Sequence, residues 1–318
     1  MFKLLLLLFC IFLSSISPLD ACAEQGQAAQ GTSTSPITLA VGDLTVTFAD
    51  NTAFGEFHKS RYNGIASLVH SASPGNLFVP DYAGFNLEHF FGGERLEELF
   101  EPREHSMILS QIDSRTVQLH QPPSPRSKVE TNQIFKVVPP HSIDIQVRAV
   151  LGDLTHFPHG YAGLFWASYI HRPENRAVFF WGRSQEDPTP RWIEAFSEVH
   201  GVKSSHLYAE DRFQPFYSAD FNVTLANHFS DFQYLEPCYF GRSGKMVFAV
   251  FFDRSEGIRF SQSPTGGGGK NPAWDHHFLI RNPEVGKEYG YRARVVYKPF
   301  ISNEDIRAEF SEWRRQLN

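Results

Sequence analysis

Cysteine, clustered charge and long apolar runs are all scarce in this chain, and each scarcity closes off a class. There are 3 Cys among 318 residues. Cys10 and Cys22 fall in the N-terminal segment, so a chain that loses that segment keeps Cys238 alone and has no internal disulfide. Stability must then come from core burial, which a chain of this length can supply. Cys238 sits among Tyr234, Leu235, Pro237, Tyr239 and Phe240 and reads as an inert buried thiol. Charged residues make up only 20%, with 29 Lys+Arg against 35 Asp+Glu and no basic block. Phosphate backbones need clustered cations, so nucleic acid is excluded as the main partner. The apolar run at residues 4–13 is half the length of about 20 residues that a membrane-spanning helix requires. Cofactor motifs are missing too. Gly269-Lys270 has Pro264 and Asn271 where a phosphate loop needs Gly and a hydroxyl residue, and neither G-x-S-x-G nor H-E-x-x-H occurs. No cofactor and no metal are expected.

The N-terminus reads as an address. Lys3, the apolar run, then Ser14, Ser15 and Ser17 have the form of an export signal, and Ala21-Cys22-Ala23 supplies the small-residue cleavage pattern. Residues 1–23 are therefore read as a signal peptide, with a mature start near Glu24 and a secreted or periplasmic location. The alternative is a lipoprotein anchored through Cys22, against which Asp20 stands where a small or apolar residue is expected. No membrane span remains after cleavage. Residues 24–36 are small and polar and read as a flexible linker.

What is abundant is phenylalanine, at 30 residues, with 20 Pro and 23 Gly. That mixture favours strands and turns. Leu44, Val46 and Phe48 alternate with Thr45 and Thr47. The same period of two recurs at 116–120, 143–148 and 289–297, marking half-buried strands. Residues 177–181 and 246–252 are apolar on both faces, as central strands are. Helical periodicity appears once, where Ser302 caps a helix that lines up Ile306, Phe310, Trp313 and Leu317. The expected fold is mainly β: one large antiparallel β-sandwich over residues 37–318, closed by a short C-terminal helix.

Charge inside apolar surroundings marks the candidate chemistry, because a buried ion must be paired or used. Glu88 and His89 lie in one such stretch, Glu101 and Arg103 in a second, Trp166, Tyr169 and His171 in a third, with Arg259 and the run Asn271 to His276 beyond. His276 and His277 are adjacent in a strand and point to opposite faces, so Asp275 shares a face with His277 and Trp274 with His276. A saccharide would use these groups well. Its hydroxyls suit Arg and carboxylates, and its C–H face suits an aromatic ring. The candidate acid–base residues are His58, Glu88, His89, His171, Asp275 and His276. The candidate binding residues are Arg61, Glu101, Arg103, Trp166, Tyr169, Arg259, Asn271 and Trp274. Mutual ion pairing and ordinary core packing are the competing readings of the same residues.

Residues 61–68, Arg-Tyr-Asn-Gly-Ile-Ala-Ser-Leu, with the later Asn271-Pro272-Ala273-Trp274-Asp275, resemble galactose-mutarotase-like proteins, in which an aromatic-rich strand leads into G-I-x-S-L. The resemblance covers about residues 37–300 and implies the family's supersandwich fold and a carbohydrate as ligand. Its epimerases use a His acid and a Glu base. The expectation is thus an exported protein that binds or modifies a mono- or polysaccharide by acid–base chemistry, as an epimerase or a lyase. The rivals are a non-catalytic carbohydrate-binding or envelope module, and a metal-dependent hydrolase using His156 and His159.

Overall fold

Alternation of apolar and polar residues is the dominant local signal, and it is realised as 18 strands with three helices among the described residues. The computed structural model describes residues 35–54, 58–94, 99–219, 221 and 224–317. The segment read as an export signal and most of the linker lie outside the described residues. The N-terminal strands are β1 (Ile37–Val41), β2 (Leu44–Ala49), β3 (Gly64–His70) and β4 (Asn86–Phe91). After α1 (Glu101–Glu104) come β5 (Ile108–Asp113), β6 (Thr116–Gln121), β7 (Val129–Val138), β8 (Ser142–Leu151) and β9 (Tyr161–Ala167). Then follow β10 (Val178–Ser184), β11 (Arg191–Ala195), β12 (Ser205–Tyr208) and α2 (Thr224–Asn227). The chain ends with β13 (Phe229–Tyr234), β14 (Cys238–Ser243), β15 (Met246–Phe252), β16 (Ile258–Ser263), β17 (Ala273–Arg281), β18 (Glu288–Pro299) and α3 (Asn303–Gln316).

Strands β1 to β3 form a small sheet, and the other 15 form one sheet, 14 of them along a single path. Its order is β4-β9-β17-β16-β12-β13-β10-β14-β15-β18-β8-β7-β6-β5, with β11 paired on β10. The β12–β13 pair is parallel and its neighbours are antiparallel. Folding back on itself, the path makes both layers of the sandwich. Side chains bridge the layers. Trp166 on β9 donates its indole N–H to Gln133 on β7 at 2.9 Å. His276 on β17 meets the Tyr291 hydroxyl on β18 at 2.7 Å, and the ring of Phe48 from the small sheet packs on Phe135 at 5.2 Å.

Close approach between the layers needs glycine at Gly241. A Cβ there would stand 2.3 Å from the Trp274 ring. Gly64 opens the 64–68 motif for a similar reason. Its φ is +91, and a Cβ would lie 2.5 Å from the Phe85 carbonyl oxygen. The C-terminal helix forms as its sequence period requires. Ser302 accepts a hydrogen bond from the Asp305 amide at 3.1 Å, and Ile306, Phe310 and Trp313 are buried against the outer face of β15 and β18. Residues 246–252 are buried on both faces, as expected. The run at 177–181 instead alternates, because the helix covers it only in part. Trp181 is half-buried, with the Arg307 guanidinium over its ring at 4.4 Å.

Two histidines are wholly enclosed in this core. His206 bonds to Ser230 Oγ at 2.6 Å, and burial pushes its pKa down from 6.5 to about 3. Burial does the same to His276. The unfolded chain is then the stronger proton binder below pH 6.5, so stability is full above that pH and drains as pH falls toward the folded value. Between pH 7 and pH 5 one such histidine removes about 2 kcal/mol. The His206→Asn variant should therefore lose about 2 kcal/mol less than wild type over that interval, measured by urea unfolding at both pH values. Equal losses would show that His206 is not held neutral.

Candidate functional site

Strand parity separates two populations on β9 and β17. Leu164, Trp166, Trp274, His276, Phe278 and Ile280 point into the sandwich core. Phe165, Ala167, Ala273 and Leu279 point to the opposite face, where Tyr62, Ala83, Leu99 and Phe221 from connecting loops cover them. Asp275 and His277 have the parity of this second face.

On β4 the pairing to β9 shifts register between Leu87 and His89. The extra residue is Glu88, and a bulge re-aims its side chain. Its Oε1 accepts from the Tyr169 hydroxyl at 2.6 Å and from Arg103 Nη1 at 2.7 Å. Its Oε2 lies 3.6 Å from His89 Nε2. The Arg103 guanidinium also covers the Tyr62 ring at 4.0 Å, and Tyr62, Tyr82 and Tyr169 pack edge-on or tilted within 5.5 Å of one another. Burial disfavours the Arg103 charge, but the Glu88 carboxylate outweighs it and the guanidinium is held above its ordinary value. Burial lowers His89 to about 4, so it is neutral at pH 7, and raises Tyr62 to about 12. Tyr169 is pushed well above the usual phenol range by burial and then by the Glu88 charge.

Arg103 is placed by α1. The buried Glu101 carboxylate accepts from the amides of Arg126 at 2.6 Å and Ser127 at 3.0 Å. Gln121 and Asn51 donate to the Pro102 carbonyl. Beyond Arg103 a cleft of about 490 Å³ opens, lined by Asn51, Thr52, Ser60, Arg61, Arg103, Glu104, His105 and Ser106. Arg61 holds φ at 81°, in the left-handed region. Its amide donates to the Asn51 carbonyl at 2.7 Å, and its carbonyl accepts from Arg103 Nε at 3.3 Å. Its exposed guanidinium has no partner among the described residues. Residues held in this region cluster at ligand sites in many proteins, and Arg61 is the one of the seven such non-glycine residues among the described residues that lines this cleft.

Farther along the same face lies a second charged group. Arg259 is wholly buried, and Nε and Nη2 donate to Asp211 Oδ2 at 3.1 and 3.0 Å. Arg281 donates to Asp211 Oδ1 at 2.5 Å. Burial holds His277 neutral and pushes the Asp275 carboxyl well above its ordinary range. Asp275 Oδ1 accepts from the Ser168 amide at 3.0 Å, while Oδ2 has no partner among the described residues.

The structure thus gathers Arg61, Glu88, His89, Glu101, Arg103 and Tyr169 around one corner, with Asp275 and Arg259 on the same face. It places others elsewhere. His276 stacks on Trp166 at 5.3 Å inside the core, and Trp274 is fully enclosed with its indole N–H on the Arg176 carbonyl. Neither tryptophan shows a face to solvent. His58 is buried and bonds to the carbonyls of Asp50 and Tyr62, which shapes the loop before Arg61. Asn271 accepts from the Arg172 amide, and the His171 amide donates to the Leu77 carbonyl, so both tie loops together. Glu101 positions α1. Among the described residues no group of three His, Cys, Asp or Glu side chains is arranged to hold a metal ion, and His159 pairs with Glu94. No helix among them is long and apolar enough to cross a membrane. Tyr62, Tyr82, Asp211 and Arg281 were not singled out by sequence. Tyr62 was readable as the neighbour of Arg61, but nothing local marks Asp211.

No protein-family model and no curated protein matches the chain. Solved structures do. An alpha-N-acetylgalactosaminidase from Bifidobacterium bifidum is similar with a TM-score of 0.53 and 9% identity, over 89% of this chain and 39% of that one. An aldose epimerase homologue from C. elegans is similar with a TM-score of 0.47 and 8% identity, over 84% and 99%. A heparan sulfate lyase from Pedobacter heparinus follows at 0.45 and 8%, over 81% and 34%. The chain has the mainly β sandwich that its alternating strands led one to expect, and it shares that fold with the Bifidobacterium bifidum structure. At these identities the likeness is one of fold alone.

The two arginines of the cleft should behave differently. Arg103→Ala leaves Glu88 buried without its cation and should cost about 3–5 kcal/mol of stability. Arg61→Ala removes no side-chain hydrogen bond or ion pair made to the described residues and should stay within about 0.5 kcal/mol. Urea unfolding of the two variants checks this, and a large loss for Arg61→Ala would make it a structural residue.

Proposed function

We propose that this chain is an exported carbohydrate-active protein that holds a saccharide in the cleft between Arg61 and Arg103. The observation that carries the reading is the exposed Arg61 guanidinium, held at a positive-φ backbone position beside a second arginine and without a partner among the described residues. Planar guanidinium forks suit clustered hydroxyls or a carboxylate. Ser60, Thr52 and Ser106 add short polar groups to the rim. The fold shared with an alpha-N-acetylgalactosaminidase supports a sugar as the ligand class. Glu88 is the acid–base group of this reading. It is the carboxylate directly behind Arg103, with the neutral His89 on its other oxygen and the Tyr169 hydroxyl as a proton-holding partner.

A second reading, a non-catalytic binding module, draws on a specific feature. Two donors already occupy Glu88 Oε1, and Arg103 stands between that carboxylate and the cleft. Export belongs to the proposal through residues 1–23, and N-terminal sequencing of protein recovered outside the cytoplasm should give a start near Glu24.

Glycan-array screening followed by calorimetry tests the site. Arg61→Ala should weaken saccharide binding at least tenfold with the melting temperature unchanged. Binding that is indifferent to this substitution moves the site away from the cleft. Product analysis then separates the two readings: turnover lost in Glu88→Gln supports acid–base chemistry, and binding without turnover supports the module.

A further inference from the structure

The region around Asp211 is built oddly for a structural ion pair. Buried polar networks are normally satisfied atom by atom, because an unpaired buried group costs about 1–3 kcal/mol. Here both ring nitrogens of His277, Arg259 Nη1 and Arg281 Nε have no hydrogen-bond partner among the described residues. All belong to β16 and β17, a rigid floor. The covering strap, residues 211–219, meets this face with the rings of Phe213 and Tyr217 and with a set of oxygen acceptors. The Asp211 carboxylate takes Arg259 and Arg281, the Phe213 carbonyl accepts from Arg259 Nη2 at 2.8 Å, and the Phe216 carbonyl accepts from the Tyr161 hydroxyl at 3.0 Å. A carboxylate with further oxygens a few ångströms away is also the pattern of an acidic sugar. The strap is open to water on its outer side. Phe216 is 58% exposed, and the Arg281 side chain is 32% exposed.

We propose that Arg259 and Arg281 form a subsite for a carboxylate of the ligand, and that Asp211 fills it in this structure as an internal surrogate. The floor donors then have two sets of acceptors, the strap or the ligand. Displacing the strap uncovers His277 and Tyr161 along with the two guanidinium groups. The nature of the rest of the ligand rests on the saccharide reading above, whereas the carboxylate subsite does not. An internal competitor lowers apparent affinity by the fraction of molecules in which the subsite is free.

The test uses Asp211→Asn, which keeps the shape of the side chain and removes its charge, with glucuronate, glucose and acetate as probes. By calorimetry, Asp211→Asn should bind glucuronate at least tenfold more tightly than wild type, with glucose binding unchanged. Adding Arg281→Ala should abolish the gain. In wild type, glucuronate at saturation should speed hydrogen exchange at the amides of Phe213 and Ser218, which now bond to Asp211 Oδ1 and the Gly93 carbonyl. An unchanged glucuronate affinity in Asp211→Asn, or strap amides that stay protected with glucuronate bound, overturns the proposal. If neither sugar binds either protein, the saccharide reading fails by itself. Acetate then decides the subsite: it should raise the melting temperature of Asp211→Asn more than that of wild type, and equal shifts overturn the proposal.

Discussion

The alternation of side chains along β17 is the constraint on which the rest of this structure depends. One strand must serve two environments that differ in every electrostatic respect. Its even positions, Trp274, His276, Phe278 and Ile280, fill the dry interior between the layers. Its odd positions carry a carboxyl group, an imidazole and the half-exposed Arg281 to the other face. A period of two leaves no intermediate arrangement, because a slip of one residue would exchange the two sets completely. The interior would then hold Asp275 and His277, and the outer face would carry two aromatic rings, an imidazole and one aliphatic chain. Antiparallel pairing to β9 and β16 on either side over most of the strand fixes the register against that slip.

The consequence is a sheet face too polar to be left dry and too deeply covered to be fully wet. The fold handles it in two ways. Near β4, a bulge and the short α1 bring Glu88 and Arg103 together, and three tyrosines close around the pair. Such an arrangement is costly to desolvate, and it holds because each charge has a partner of opposite sign and a hydroxyl beside it. Farther along, the strap lays a carboxylate on two arginines but leaves neighbouring atoms unsatisfied. The first group resembles a finished network and the second an unfinished one. The Glu88 and Arg103 charges are paired where Arg103 must stay fixed to shape the cleft, with His89 Nδ1 alone unpartnered among the described residues of that group, and more atoms are left over where the covering element is a loop.

Much of the architecture was legible in the sequence, because it is written in local patterns. The alternating strands at 44–48, 116–120, 143–148 and 289–297, the doubly apolar β15 and the capped helix at Ser302 each follow from the spacing of apolar residues within a few positions. The opposite facings of Asp275 and His276 were readable for the same reason. The site was legible in part. Arg61, Glu88, His89, Arg103 and Tyr169 share a feature that sequence exposes, a charge or hydroxyl flanked by large apolar groups. Trp166, Trp274 and His276 share that feature too, yet they face the core. What distinguishes them is which side of a folded-back sheet their parity selects, and that depends on strand order across the whole chain. Asp211 was invisible because its role comes entirely from long-range placement, 48 residues from one partner and 70 from the other.

Both charged groups on this face rely on arginine where lysine would serve poorly, and the geometry gives the reason. A planar fork has several donors in fixed directions, so it can be tied down by some and still present another. Arg103 gives Nη1 to Glu88, Nε to the Arg61 carbonyl and its planar face to the Tyr62 ring, and it still lines the cleft. Arg259 gives Nε and Nη2 to Asp211, and its Nη1 has no hydrogen-bond partner among the described residues. A lysine ammonium in either place would satisfy the carboxylate as a point charge and offer no second direction with defined geometry. The same side chain therefore anchors the fold on one edge and remains available on the other. A polar sheet face covered by loops can in this way be stable and receptive together.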